Sequence, residues 1–189
     1  MNKKKMIFAV IVALLLIAFG VSAFMVGSYL LDGKKQAERN EQLAQMVEAA
    51  KSTTEATVPQ ETVPAQTTEP AATETTAPTG PTEPKILEPY AGLYELNNDM
   101  VGWLEIPNTR LKYPVMQTPD APNFYLDRNF DKGDSVRGAV YAWEAADINK
   151  PSDNITMFGH NMKDGSMFAT LNNYVNQYFW EDNQLILFD

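Results

Sequence analysis

The residue types that can do chemistry are concentrated in one stretch, Asn154-Ile-Thr-Met-Phe-Gly-His-Asn-Met-Lys-Asp-Gly-Ser-Met-Phe168, and His160 within it is the only histidine among 189 residues. Imidazole in general titrates near pH 6.5, so a histidine can take up and return a proton at neutral pH. Gly159 before it allows a sharp turn that would leave the ring at a sheet edge or a cleft mouth. A lone histidine without context is more often a packed or surface group. No metal is expected, because no second histidine and no cysteine accompany His160 and carboxylates alone suit harder ions. Asp127, Asp131 and Asp134 lie close together but lack an EF-hand spacing, and no cofactor is expected either. Ser135, Ser152 and Ser166 are available as nucleophiles, yet none lies in a recognisable nucleophile motif. The stretch reads as half of a cysteine–histidine site, in a chain that contains no cysteine.

The elements that must position His160 begin at Ile86. A brief helical lead is expected over 93–98. Residues 101–106 and 111–117 read as two short strands around the turn-forming Pro107-Asn108-Thr109, because aromatic and β-branched residues bounded by Gly, Pro and Asn favour strand over helix. Further strands are expected at 138–143 and 154–158, separated by Asp-, Gly- and Pro-containing loops, the spacing of an antiparallel sandwich or barrel. One good helix is expected from Ser166, a candidate N-cap, with Met167, Leu171, Tyr174, Val175 and Tyr178 on one face. A last apolar strand follows at 184–188. Trp103, Trp143, Phe124, Tyr125 and Phe130 read as core or barrel-end packing, and Met157, Met162 and Met167 as flexible apolar packing beside the histidine.

The rest of the chain has another character. Residues 6–31 carry no charge over twenty-six positions, more than the roughly 20 that a membrane-spanning helix needs. Lys3, Lys4 and Lys5 in the basic end 1–5 place the N-terminus inside and the remainder outside. A cleaved signal peptide is the alternative, since Val21-Ser22-Ala23 resembles a cleavage site, but such apolar regions run only about 7–15 residues. Residues 32–51 are polar and expected to be helical. Over 52–84, eleven Thr, six Pro and five Glu fill twenty-two of thirty-three positions. Such a segment cannot bury enough apolar surface to offset the entropy of ordering. It reads as a disordered stalk that at about 3.1 Å per residue could stretch to roughly 100 Å and hold a domain off the membrane. The net charge of −9 resides mostly in 86–189, where fifteen acids face seven bases, which argues against a nucleic-acid surface.

Four runs in order, Leu93-Tyr-Glu-Leu-Asn-Asn-Asp-Met-Val-Gly-Trp-Leu-Glu-Ile-Pro107, Tyr113-Pro-Val-Met-Gln117, Asn123-Phe-Tyr-Leu-Asp127 and Phe158-Gly-His-Asn-Met-Lys-Asp-Gly-Ser-Met-Phe168, resemble the N-terminal half of a class B sortase across roughly 86–189. Gly-Trp followed by an apolar residue, an acid, Ile-Pro and then Pro-Val occurs broadly in sortases. Gly-His-Asn-Met-Lys-Asp-Gly-Ser-Met-Phe is the more specific signal of class B. The resemblance implies a mainly β fold, here a partial sortase-like β-barrel with one good helix, preceded by a transmembrane helix and a disordered stalk. It also implies a cysteine transpeptidase of Gram-positive bacteria. In that family a cysteine attacks the carbonyl of a sorting signal near the C-terminus of a secreted protein, and an amine of the peptidoglycan precursor releases the thioacyl enzyme. A histidine serves proton transfer and an arginine donates hydrogen bonds to the substrate or oxyanion.

Of those roles only the histidine maps here, as His160. The family's cysteine and arginine fall after position 189, and Arg110, Arg128 and Arg137 all precede His160, so no role is carried onto them. The sequence therefore leads to the expectation of an incomplete catalytic domain over 86–189, inactive as given, attached to the membrane through 6–31. Its expected partners are secreted proteins bearing a sorting signal and a peptidoglycan or other amine acceptor, with no nucleic acid. The rival reading is a non-catalytic surface module that uses the sheet for binding, which the missing cysteine favours and an unclosed sheet edge disfavours.

Overall fold

A computed structural model describes residues 3–55, 86–150 and 154–189. The expected stalk lies almost wholly outside the described residues, as does Ser152. One helix, α1 (Lys3–Glu55), runs without interruption through the apolar stretch and the polar segment after it. It is long and apolar enough to cross a membrane, and its most apolar window has a mean hydropathy of 2.9 with none of it buried. The polar half behaves differently. Leu43 and Val47, one helical turn apart, are fully buried, and Gln36 shares their side.

That stripe docks on the domain that begins at Ile86. A 3₁₀ turn (Glu88–Tyr90) leads into α2 (Ala91–Leu96), and five strands follow: β1 (Met100–Glu105), β2 (Lys112–Met116), β3 (Val140–Ala142), β4 (Met157–Phe158) and β5 (Leu187–Phe188). They form one sheet in the order β4-β3-β2-β1-β5. All neighbours are antiparallel except β2 and β3. The β1–β2 hairpin closes where Pro107-Asn108-Thr109 demanded. Asn108 takes φ 62°, the Thr109 hydroxyl donates to the Ile106 carbonyl at 2.8 Å, and the Leu111 N–H donates back to that hydroxyl at 3.0 Å. Pro114 has no N–H to donate, and the β2–β3 ladder begins at Val115.

Strand alternation sorts the apolar side chains onto two faces. On the α1 face, Met100, Trp103, Met116 and Tyr141 join Tyr90, Leu93, Tyr125, Phe130, Leu43 and Val47. On the other, Leu104, Tyr113, Val115, Val140 and Ala142 join Ile106, Leu111 and Met167, with Met157 and Met162 packed against them. The α1 face also holds a satisfied polar centre. The Asn97 amide donates to the Tyr125 hydroxyl at 2.8 Å and to the Phe130 carbonyl at 2.6 Å, and that hydroxyl donates to Asp99 at 2.7 Å. Burial, together with the carboxylate of Asp99, pushes the Tyr125 phenol far above its ordinary range.

Two expectations need correction. The helix beginning at Ser166 does not form. A 3₁₀ segment (Phe168–Val175) is followed by the short α3 (Gln177–Asp182), whose cap is Asn176, its side chain accepting from the N–H groups of Tyr178 and Phe179. Ser166 caps no helix because Met167, which would be the first helical residue, takes φ 56° and ψ −135°, outside the helical region. The expected apolar face is not one, since Val175 and Tyr178 are 93% and 78% exposed. Trp143 is likewise half exposed, although Trp103, Tyr125 and Phe130 lie in the core. The polar half of α1 packs directly on the domain: the Gln36 amide donates to the Gly138 carbonyl and Arg39 forms a two-pronged pair with Asp131 at 2.8 and 2.6 Å.

Candidate active site

His160 stands two residues after β4, the edge strand of the sheet, at the start of a small hairpin over 159–168. Gly159 must be small there, because a Cβ would meet the ring of Phe168 at 2.9 Å. The Phe168 N–H donates to the His160 carbonyl at 2.9 Å, Asn161 and Met167 pair as an antiparallel bridge, and the Gly165 N–H closes the tip on the Met162 carbonyl with φ 81° at Gly165. The backbone of His160 is thus fixed, while its ring is half-buried, and no side chain among the described residues hydrogen-bonds the imidazole. An imidazole placed so can exchange protons with a bound molecule.

Two buried side chains anchor the hairpin from beneath. The Tyr113 hydroxyl accepts the Met167 N–H at 3.0 Å. Met167 is buried with φ 56° and ψ −135°, a conformation that costs a non-glycine residue on the order of 1–3 kcal/mol and persists only where surroundings enforce it. Burial pushes the Tyr113 phenol up, so it remains a neutral hydroxyl. The second anchor is Arg137, only 3% exposed, whose Nη1 donates to Asp164 at 2.6 Å and to the Ser166 hydroxyl at 3.1 Å. Burial would raise the Asp164 carboxyl, but the hydroxyl and N–H of Ser166 and the Arg137 guanidinium outweigh it and hold the group below its ordinary range.

The remaining sequence candidates go elsewhere. The Ser135 hydroxyl donates to Asp32 at 3.1 Å and accepts the Arg137 N–H, so neither Ser135 nor Ser166 reaches His160. Asp127 and Asp134 pair with Arg128, and Asp131 with Arg39. Among the described residues no three carboxylate or imidazole groups gather as a metal site. Sequence reasoning missed Arg137 and Tyr113. Each lies outside the histidine stretch, and only their burial beneath it reveals the contact.

No protein-family profile matches the chain. Sortase B of Listeria monocytogenes is 41% identical over 88 residues, 46% of this chain and 35% of that protein. Sortase B of Staphylococcus aureus is 30% identical over 100 residues, 53% of this chain and 41% of that protein. The chain therefore spans little more than a third of the length of these curated relatives. Among solved structures, sortase B from Bacillus anthracis in complex with AAEK1 superposes with a TM-score of 0.51 at 29% identity, over 54% of this chain and 48% of that one. A Staphylococcus aureus sortase B–substrate complex superposes with the same score at 30% identity, over 53% and 46%. In sequence and in fold, about half of this chain is class B sortase-like.

Proposed function

We propose that residues 86–189 form the histidine-bearing part of a membrane-tethered, sortase-type cysteine transpeptidase, with His160 as its proton carrier. The observation that carries this reading is the hairpin: a strongly class B sequence motif presents a half-buried imidazole with a fixed backbone at the sheet edge. The likeness to a Staphylococcus aureus sortase B–substrate complex supports a substrate of the kind sortases take. In the proposed reaction a thiolate attacks a sorting-signal carbonyl, the peptide C–N bond breaks, and His160 gives its proton to the departing amine. An acceptor amine, such as that of a peptidoglycan precursor, then attacks the thioester, its proton returns to His160, and the thiolate is released. These 189 residues contain no cysteine, so they do not perform the thioacyl step unaided. Tethering rests on α1, with Lys3 to Lys5 inside and the domain outside, facing the cell wall.

A chimera that joins these residues to the cysteine-bearing remainder of a class B sortase should cleave a fluorogenic sorting-signal peptide. His160→Ala should lower its turnover by about 10²–10⁴-fold, the usual range for a general acid–base. Equal activity in the two proteins would overturn the assignment, as would His160-dependent cleavage by the 189-residue chain alone. The missing cysteine favours one other reading, a non-catalytic binding module. That reading requires the chain alone to bind such a peptide and a chimera that stays inert.

A further inference from the structure

Arg137 touches two parts of the molecule that the sequence keeps far apart. On one side it holds Asp164 and Ser166 in the His160 hairpin. On the other, its guanidinium lies over the Tyr29 ring, 5.1 Å from the centroid, and its Nε is 4.0 Å from Asp32. That Nε is buried without a hydrogen-bond partner among the described residues. Gly33 completes the seat. A Cβ there would stand inside the guanidinium, and a glycine within a helix costs roughly 0.5–1 kcal/mol against alanine, so close approach by Arg137 gives its presence a physical reason. Residues 29–33 lie where the apolar run of α1 ends. The membrane-exit turn is thereby in contact, through one buried side chain, with the hairpin that starts at the histidine.

We infer that Arg137 is a positioning residue for His160, and that the 29–33 turn of α1 seats it. With the turn docked, the guanidinium is confined between Tyr29, Asp32 and Gly33 and its Nη1 points at Asp164. If the turn moves away, the arginine gains water and rotamers, the Asp164 contact loosens, and the ladder from Phe168 to His160 loses its anchor. The histidine is then held in its working geometry only when α1 is packed as a membrane-exiting helix. This rests on the reading of His160 as the proton carrier, but its test does not require turnover.

Because His160 is the only histidine, ¹³C-labelled histidine gives one imidazole signal from the full 189-residue chain in detergent micelles. Gly33→Leu touches Arg137 and not the hairpin. It should shift that signal and speed amide exchange at Phe168 about tenfold or more, while Trp103, in the sheet, stays within twofold. Arg137→Met should do the same, and Arg137→Lys, which keeps the charge without the fork, should fall between Arg137→Met and the parent. Should Arg137→Met fail to fold, Gly33→Ala and Gly33→Leu carry the test, with the larger side chain giving the larger effect. An unchanged imidazole signal and Phe168 amide in Gly33→Leu would overturn the coupling. So would exchange at Trp103 rising in step with Phe168, which marks general loosening. If the coupling holds while His160→Ala leaves the chimera active, the proton-carrier reading fails and the mechanical link stands.

Discussion

Asp164 shows at the residue scale how charge holds the histidine hairpin. Its carboxyl lies below the ordinary value of 3.8 in the folded chain, against the effect of burial, because Ser166 and Arg137 favour the ionised form. Its stabilising contribution is therefore complete above pH 3.8 and fades as pH falls through the lowered folded value. Thermal unfolding of parent and Asp164→Asn should differ near neutral pH and converge in acid below that range. A gap independent of pH would mean that the carboxylate's charge is not what holds the hairpin. Asn97 makes the same point with neutral groups. Replacing it with leucine takes the donor from the Phe130 carbonyl and the acceptor from the Asp99 N–H, while the Tyr125 hydroxyl keeps its bond to Asp99, and should cost about 1–3 kcal/mol in denaturant titrations.

At the element scale, α1 is a core element as well as a helix long and apolar enough to cross a membrane. Leu43 and Val47 sit fully buried among Tyr90, Leu93, Trp103 and Met116. Its charged flank reaches the Glu105–Lys112 pair, where Lys112 lies 3.0 Å from Glu105 and 3.7 Å from Glu48. The hydrogen bond to Glu105 is the main reason the Lys112 ammonium titrates above its usual range. Leu43→Ala should cost about 2–5 kcal/mol, the range for leucine truncation in a core, and lower the unfolding midpoint of the whole domain as followed by tryptophan fluorescence. A midpoint equal to the parent's would mean that α1 merely lies nearby. The sheet edge obeys the same economy of contacts. Gly102 in β1 is small because the Phe188 ring occupies the place of a side chain, and the Trp103 N–H and carbonyl both bond Asp189.

For the whole molecule, the proposed membrane topology and the docking of α1 together set how far the domain stands from a bilayer. Phe24, Met25, Ser28 and Tyr29 line a cleft with Asp127, Arg128 and Val136 of the domain. The apolar run below that cleft, 6–23, spans roughly 27 Å at 1.5 Å per residue, close to a hydrocarbon core of about 30 Å. In the proposed topology the domain rests at the membrane surface. The absence of cysteine makes this orientation easy to read. Ser52→Cys in intact cells should react with a membrane-impermeant maleimide, and Lys3→Cys should react only after permeabilisation. Labelling of Lys3→Cys in intact cells would reverse the orientation.

Local chemistry determined much of this protein. Pro107-Asn108-Thr109 encodes its own turn, alternating apolar residues encode β1 and β2, the uncharged run encodes a helix fit for a membrane, and the Gly159-His160 stretch marks the candidate site. Each depends on neighbours in sequence, so each could be read there. The failed helix at Ser166 shows the limit: periodicity pointed to a helix, but Met167 leaves the helical region and Asn176 caps a shorter helix ten residues later. Only the tertiary structure brought Arg137 under the hairpin, Gly33 against Arg137, and α1 onto the sheet. Those contacts join residues far apart in sequence, Gly33 and Arg137 by more than a hundred positions, and a buried arginine looks the same as a solvated one until the fold encloses it.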